Sequence, residues 1–395
     1  MQKTIVFIKY SPLTEKVYDD LCMDALVKEG YIVQYWDITL LYSFKLDLVE
    51  HFSPDNIKII NVKNYEELKS LAKQNTSTFY ISLMTPGLNQ VKLLRALANN
   101  HSIISFWGPD PVFYKQNTSY ERFRRITWRK LIWFIKHCIC IMFFRKLVIQ
   151  NYEYYFNVGE KGYQSLGSID EKSKSIIKKL QVNSFDYNRY IYKQSTTTDL
   201  INEKYILFLD QYYPFHPDFI ICGYKQIPYK QYFEQLNQTF KRLEEMLNMK
   251  VVIAAHPKSL KYKEEDFFNG RNVYWGMSGE LTKNATYVMT HDSTAISYAM
   301  MAHKPVIILT SSLISKYYPV NHNNSVNLAD EFGFNVLNMD KMEQVQSISY
   351  ETLELNSWQI EKYNKHLYGY CTSPEIHDQN SALLISYIED IFHRH

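Results

Sequence analysis

The sequence is poor in the residues that announce a special structural class. Among 395 residues there are 5 cysteines, 12 glycines and 12 prolines. The cysteines (Cys22, Cys138, Cys140, Cys222 and Cys371) are odd in number and scattered, which excludes a disulfide framework and reads as a reducing compartment. Cys138 and Cys140 have no second pair of ligands nearby, so no zinc site is expected. Glycine and proline this sparse exclude collagen-like and low-complexity chains. No uninterrupted apolar stretch reaches the roughly 18 residues of a transmembrane helix. The N-terminal apolar run, Thr4–Ile8, is too short for a signal peptide and reads as a core strand. Charge of one sign is also lacking: 44 basic and 41 acidic residues leave +3, too little to argue for a nucleic-acid partner.

What the chain does have is apolar bulk. Hydrophobic residues make up 46%, with 33 Tyr and 22 Phe. At about 150 residues per domain, this length suggests two domains, each able to bury its own core.

The first 110 residues alternate short apolar runs with helical patterns. Strands are expected at Thr4–Ile8, Ile32–Tyr35, Ile57–Asn61, Phe79–Leu83 and Ile103–Phe106, with helices at Glu15–Glu29, Glu66–Gln74 and Asn89–Ala98. Such alternation means βαβ units and a parallel sheet covered on both faces, with functional loops at the carboxyl ends of the strands. The Trp107–Pro111 loop, with Asp110, takes that position.

Residues 119–148 interrupt the pattern. Eight Lys or Arg stand against one Glu between Ser119 and Lys146, flanking the run LIWFIKHCICIMFF. Segment 120–147 fits a buried helix with solvated ends. It equally fits an interfacial helix on an anionic membrane surface, with Arg122–Lys146 holding a cytoplasmic protein at the inner face. Another strand-like run, Tyr154–Gly159, follows, and a polar stretch at Gln194–Asn202 reads as a domain boundary. The alternation then restarts. Strands are expected at Tyr205–Leu209, Val251–Ala255, Val273–Trp275, Tyr287–Thr290 and Pro305–Leu309, and helices at Lys230–Leu247, Ser278–Lys283 and Thr294–Ala302. Helices at Thr352–Lys365 and Ser381–His393 close the pattern. The expected architecture is α/β, with two Rossmann-like lobes, 1–195 and 203–350, a central cleft, and C-terminal helices in 351–395.

Three loops of the second half follow strands and should open on one sheet edge. After Tyr287–Thr290 comes His291–Asp292–Ser293–Thr294, where a helix starts. Unpaired N–H groups, the helix dipole and two hydroxyls make such a turn a phosphate site, with an ordinary helix cap as the plainer alternative. After Val251–Ala255 comes His256–Pro257–Lys258. The proline pins a histidine able to donate to a phosphate or protonate a leaving oxygen, and Lys258 adds positive charge. After Tyr205–Leu209 comes Asp210, a carboxylate at the end of an apolar strand, which fits a general base or a turn cap. Asp218 and His216 lie in the same loop. Asp110 of the first lobe is the rival base.

The order Asp210, His256–Pro257, Ser293–Thr294 resembles the acidic, HP and S-S/T motifs of bacterial sialyltransferases and polysialyltransferases. The HP and S-S/T pair is also similar to that of Kdo transferases and of teichoic-acid polyol-phosphate transferases. All are GT-B-type enzymes of surface-glycan synthesis, and the match spans Tyr205–Leu309. The resemblance implies that His256 and Ser293–Thr294 contact a CMP leaving group and that the acidic motif supplies the base. This chain has Leu209–Asp210–Gln211 in place of D/E-D-G, so the base stays open between Asp210 and Asp110. Tyr298 precedes Ala299 where many nucleotide-hexose enzymes of this architecture carry a ribose-binding Glu, which favours a cytidine donor. No D-x-D motif lies near these loops, so neither a metal nor a cofactor is expected.

The resulting expectation is a metal-independent glycosyltransferase moving a CMP-linked nonulosonic acid or Kdo onto a glycan or glycolipid acceptor. Three rivals remain: a CDP-alcohol polyol-phosphate transferase, a non-catalytic glycan- or membrane-binding module, and a UDP-sugar epimerase of the same shape.

Overall fold

The computed structural model describes residues 3–42, 51–74, 78–84, 91–97, 103–107, 152–162, 177–192, 201–217, 219, 224–341, 343, 348 and 350–394. Asp110, Asp218, segment 120–147 and most of the 194–202 boundary lie outside them. The chain divides into two compact units. One comprises 1–111, 116–185 and 368–395, and the other 112–115 and 186–367.

In the first unit, strands β1 (Thr4–Lys9), β2 (Ile32–Asp37), β3 (Lys58–Asn61), β4 (Thr78–Ser82), β5 (Ile103–Trp107), β6 (Tyr152–Val158) and β7 (Lys178–Val182) form one sheet in the order 3-2-1-4-5-6-7. Every pairing is parallel. Successive strand residues point to opposite faces, so β1 feeds two cores. Val6 and Ile8 pack with Trp36 and Tyr80, while Ile5 and Phe7 pack with Tyr35, Phe79 and Phe156.

The helix expected over Glu15–Glu29 is two, α1 (Glu15–Asp20) and α2 (Met23–Lys28), broken at Cys22 with φ +51°. Leu21 and Met23 are both fully buried. A continuous helix would separate them by about 200° and expose one. Helices α3 (Tyr65–Gln74) and α4 (Val91–Leu97) complete the N-terminal βαβ series.

The second unit holds β8 (Tyr205–Leu209), β9 (Lys250–Ala255), β10 (Val273–Trp275), β11 (Tyr287–Thr290), β12 (Val306–Thr310) and β13 (Asn335–Asn338). Their order, 10-9-8-11-12-13, is again 3-2-1-4-5-6, and all pairs are parallel. The helices of this unit are α5 (Phe185–Tyr192, from Asp186 on), α6 (Tyr229–Leu247), α7 (Ser278–Asn284), α8 (Ile296–Met301), α9 (Ser312–Tyr317), α10 (Pro319–Phe332), α11 (Tyr350–Leu353) and α12 (Ser357–His366). Along α6, Tyr232, Leu236, Phe240, Leu243 and Leu247 form a helical stripe laid against Ile206, Phe208, Val251 and Ile253. Asn248, φ +46°, ends α6 in the left-handed conformation that asparagine tolerates. The other sheet face, with Leu207, Leu209 and Val288, is covered by residues of α7, α8, α10 and α12.

Helix α13 (Asn380–Arg394) belongs to the first unit. Its Leu384, Ile388 and Ile391 enter the core that holds Ile5 and Phe79. Asn380 exchanges two hydrogen bonds with the Asn183 backbone, at 2.9 and 3.0 Å. Among the described residues no helix is long and apolar enough to cross a membrane.

Candidate functional site

In a 3-2-1-4-5-6 sheet the chain leaves neighbouring strands 1 and 4 in opposite directions, opening a crevice at their carboxyl ends. In the second unit these strands are β8 and β11. The three expected loops leave β8, β9 and β11 on this one edge.

The β8 and β11 loops are clasped together. The Gln211 amide donates from Nε2 to Asp292 Oδ1, while its Oε1 accepts the Asp292 backbone N–H at 3.0 Å. The Tyr213 hydroxyl donates to the same Asp292 oxygen. Asn321 and Asn324, one turn apart on α10, donate to Asp292 Oδ2 at 3.0 and 3.4 Å. Asp292 is buried, and burial raises its pKa against these four donors. A carboxylate so fully occupied holds the loop and offers a phosphate nothing.

His291, beside it, is completely buried. Its Nδ1 lies 2.7 Å from the Leu309 carbonyl, its Nε2 lies 2.9 Å from the Tyr232 hydroxyl, and its ring stacks on Tyr213 at 4.9 Å. Burial depresses its pKa to about 4, so it is neutral at pH 7. Nδ1 must donate to the carbonyl, and Nε2 then accepts from Tyr232.

Ser293 and Thr294 follow where the chain turns into α8. The helix begins at Ile296, later than the sequence pattern suggests, with Ala295 as its cap. Ser293 is half-buried and its Oγ accepts the Ala295 N–H at 3.2 Å, which leaves the hydroxyl proton free to donate outward. Thr294 is exposed.

His256 leaves the end of β9 in a locked turn. Its carbonyl accepts both the N–H and the hydroxyl of Ser259, at 2.9 and 2.6 Å, and Trp275 Nε1 donates to that hydroxyl at 3.0 Å. Its Nδ1 accepts the Lys258 N–H at 3.1 Å. In the neutral ring this places the proton on Nε2, on the side away from the turn. Pro257 and Lys258 are exposed.

Asp210 is 4% exposed. Its Oδ2 accepts the Tyr212 N–H at 3.1 Å, whereas Oδ1 and the nearby Tyr262 hydroxyl are buried without a hydrogen bond of good geometry. Desolvation lifts the carboxyl to about 6, opposed by the amides of Tyr212, His256 and Gln211 and by the Tyr262 hydroxyl. The group therefore faces the backbone that carries His256, and a hydroxyl acceptor in solution does not meet it directly.

Tyr298, at the position after Ser297 on α8, is buried and hydrogen-bonds Asp186 at 2.9 Å and Arg189 at 3.0 Å. A carboxylate thus does stand beside this helix, contributed by α5.

The structure brings His256, Lys258, Ser293, Thr294 and Asp210 to one edge and makes Asp292 the brace between two of the loops. The residues that sequence reasoning did not single out are the partners of that brace: Gln211, Tyr213, Asn321 and Asn324. Gln211 adjoins Asp210 but has no motif of its own, and the two asparagines lie about 30 residues downstream of Asp292 in a polar stretch without apolar periodicity.

By sequence, the chain matches no protein-family model and no curated protein. By structure it is similar to several two-lobed enzymes. A wall teichoic acid polymerase, TagF, superposes with a TM-score of 0.53 at 13% identity, covering 99% of this chain and 88% of that one. MnaA of S. aureus, described with UDP, gives 0.50 at 13% identity, covering 100% and 97%. A glycosyltransferase of kitacinnamycin gives 0.51 at 11% identity, covering 98% of each. At such identities the likeness concerns the fold: the chain has the GT-B-type architecture of two Rossmann-like lobes.

Proposed function

We propose that this chain is a transferase of surface-glycan assembly that binds a nucleotide-activated donor at the carboxyl edge of the second sheet. The observation that carries the proposal is the fixed His256 imidazole. Its tautomer is set by the Lys258 N–H and its turn is clamped by Ser259, beside the β8/β11 crevice. Breaking the bond between the transferred group and the donor phosphate builds negative charge on that phosphate. The Nε2–H of His256, the hydroxyls of Ser293 and Thr294 and the charge of Lys258 meet it, and no step is routed through a metal. Removing one preorganised donor of this kind costs about 2.7–4 kcal/mol of transition-state stabilisation.

In this reading Asp292 supports the loops, and the acceptor proton goes to one of the two carboxylates that the sequence offers, Asp210 or Asp110, the latter outside the described residues. Segment 120–147, also outside them, is the proposed contact with an anionic membrane surface. The donor is a CMP-linked nonulosonic acid or Kdo, on the strength of the HP and S-T motifs and of Tyr298 in place of a glutamate. A second reading, transfer of a polyol phosphate from a CDP-alcohol, is favoured by the fold shared with TagF, which has been described with CDPG.

The test is thermal stability against CMP, CDP, UDP and GDP, repeated with His256→Ala. A ligand at 100 times its Kd adds about 2.7 kcal/mol. Stabilisation by CMP or CDP that is lost in the variant is the expected result. A response confined to UDP or GDP overturns the donor assignment, and no response to any of them overturns the proposal. Release of CMP from CMP-sugars or from CDP-glycerol then separates the two donors.

A further inference from the structure

The loop after β8 carries a second histidine that the foregoing scheme leaves idle. Tyr212 adopts φ +56°, a short 3-10 turn follows at Tyr213–Phe215, and the chain emerges extended at His216 with φ −63° and ψ 121°. This turn is set on an aromatic platform. Phe215 stacks on Phe233 at 6.3 Å and packs against Phe267 at 5.4 Å, and the Lys261 ammonium lies 4.2 Å from its ring centre. Phe219 flanks the His216 ring at 5.3 Å. On the other side His216 meets His256, with ring centres 4.8 Å apart and planes at 62°. Both rings are half-buried. The two imidazoles come from different loops, after adjacent parallel strands, and converge on the edge where Ser293 and Thr294 also lie.

We propose that His216 is a second ligand for the donor's phosphate, and that the His216–His256 pair grips phosphate oxygens with one N–H from each ring. This rests on the reading of His256 given above. The chemistry favours an anion between the rings. Each neutral imidazole offers a single N–H, so one histidine alone leaves most oxygens of a nucleotide phosphate to water. Two converging donors make a bidentate contact that gains in strength with each negative charge on the phosphate. They also discriminate by charge: cytidine, which has no phosphate, gains nothing from either ring. A metal ion is the other chemistry that paired histidines serve. The EDTA arm of the experiment distinguishes it from an anion.

The experiment measures CMP and cytidine binding calorimetrically to the wild type, His256→Ala, His216→Ala, His216→Gln and the double alanine variant, with and without EDTA. Circular dichroism of each ligand-free variant reports folding. Loss of a charge-assisted hydrogen bond weakens binding about tenfold or more. His216→Ala is expected to weaken CMP by that factor and leave cytidine unchanged. His216→Gln, which keeps an N–H donor, is expected to recover part of the loss. The double variant is expected to lose less than the product of the single effects, because one phosphate is shared. Unchanged CMP affinity in His216→Ala, with a loss in His256→Ala, overturns the role of His216 and leaves the phosphate site standing. Unchanged affinity in both variants overturns the site itself. Equal weakening of CMP and cytidine by both His216 variants marks a structural residue and overturns the proposal, as does abolition of CMP binding by EDTA.

Discussion

Asp210→Asn isolates one buried charge and has a calculable signature. The Asp210 carboxyl ionises near 3.8 when free and at about 6 in the folded chain, because burial outweighs the amides that face it. Well below pH 4 the group is protonated in both states and contributes no pH dependence. As pH rises through 6, the unfolded chain ionises first and the folded carboxyl follows at a cost. The difference of about two pH units, at 1.36 kcal/mol each, is about 3 kcal/mol of stability lost on going from acid to neutral pH.

His291 runs the other way. Its folded pKa is lowered from 6.5 to about 4, so the stability it supplies is present at neutral pH and lost on acidification through that window. Between about pH 4 and 6 the two slopes oppose each other in the wild type. Urea unfolding at a series of pH values, from about 4 to 7.5, measures the difference. The substituted amide cannot ionise, so Asp210→Asn should gain on the wild type by about 3 kcal/mol across that range and lose stability more steeply in acid. His291→Phe should flatten the acid limb instead. A difference between the wild type and Asp210→Asn that stays constant to within about 0.5 kcal/mol from pH 4 to 7.5 would refute the buried-carboxyl account.

Other perturbations separate brace from ligand. Asp292→Ala strands the buried Tyr213 hydroxyl and the Gln211 amide at about 1–3 kcal/mol each. For a unit of this size an overall cost of about 3 kcal/mol lowers Tm by about 6–12 °C in a thermal scan. Thr294→Ala should leave Tm within a degree or so and weaken nucleotide binding, whereas Ser293→Ala, which also removes the acceptor of the Ala295 N–H, should weaken binding and cost about 1 kcal/mol of stability besides. At Gly159, φ +61°, an added Cβ would lie 2.5 Å from the Gly369 carbonyl oxygen, so Gly159→Ala is expected to abolish soluble expression. Gly30→Ala, at φ +87° with open space around it, should cost only about 1–2 kcal/mol by chemical denaturation.

Much of the second lobe was legible because its strands are short and apolar, and the central ones are buried on both faces. Tyr205–Leu209, Val273–Trp275 and Tyr287–Thr290 coincide with the expected bounds. Other elements carry no such signal. Helix α10, PVNHNNSVNLADEF, is mostly polar and buries only Ser325, Leu328, Ala329 and Phe332, so periodicity misses it. Its markers are Pro319 at the start and the left-handed Gly333 at the end. Strand β7, KKLQV, exposes its first two lysines, and β13, NVLN, is apolar at only two positions.

The site was legible as loops and not as a network. A histidine before proline and a serine–threonine pair after a strand can be found by reading along the chain. The partnership of Gln211 with Asp292, separated by 81 positions, follows only from the strand order that places β8 beside β11. His216 was visible only as a residue near Asp210. Its meeting with His256 depends on the left-handed turn at Tyr212, which no residue type there announces.

The docking of α13 bears on how the polypeptide is made. The sheet of the first unit is complete in sequence by Val182, yet the helix that fills its core with Leu384, Ile388 and Ile391 comes after the whole of the second unit. At 5–20 residues per second, the roughly 200 residues in between take about 10–40 s to synthesise. Throughout that interval the face bearing Ile5, Phe79 and Val182 lacks its last cover. The nascent chain thus emerges with one apolar face of the first unit uncovered while the second unit is synthesised.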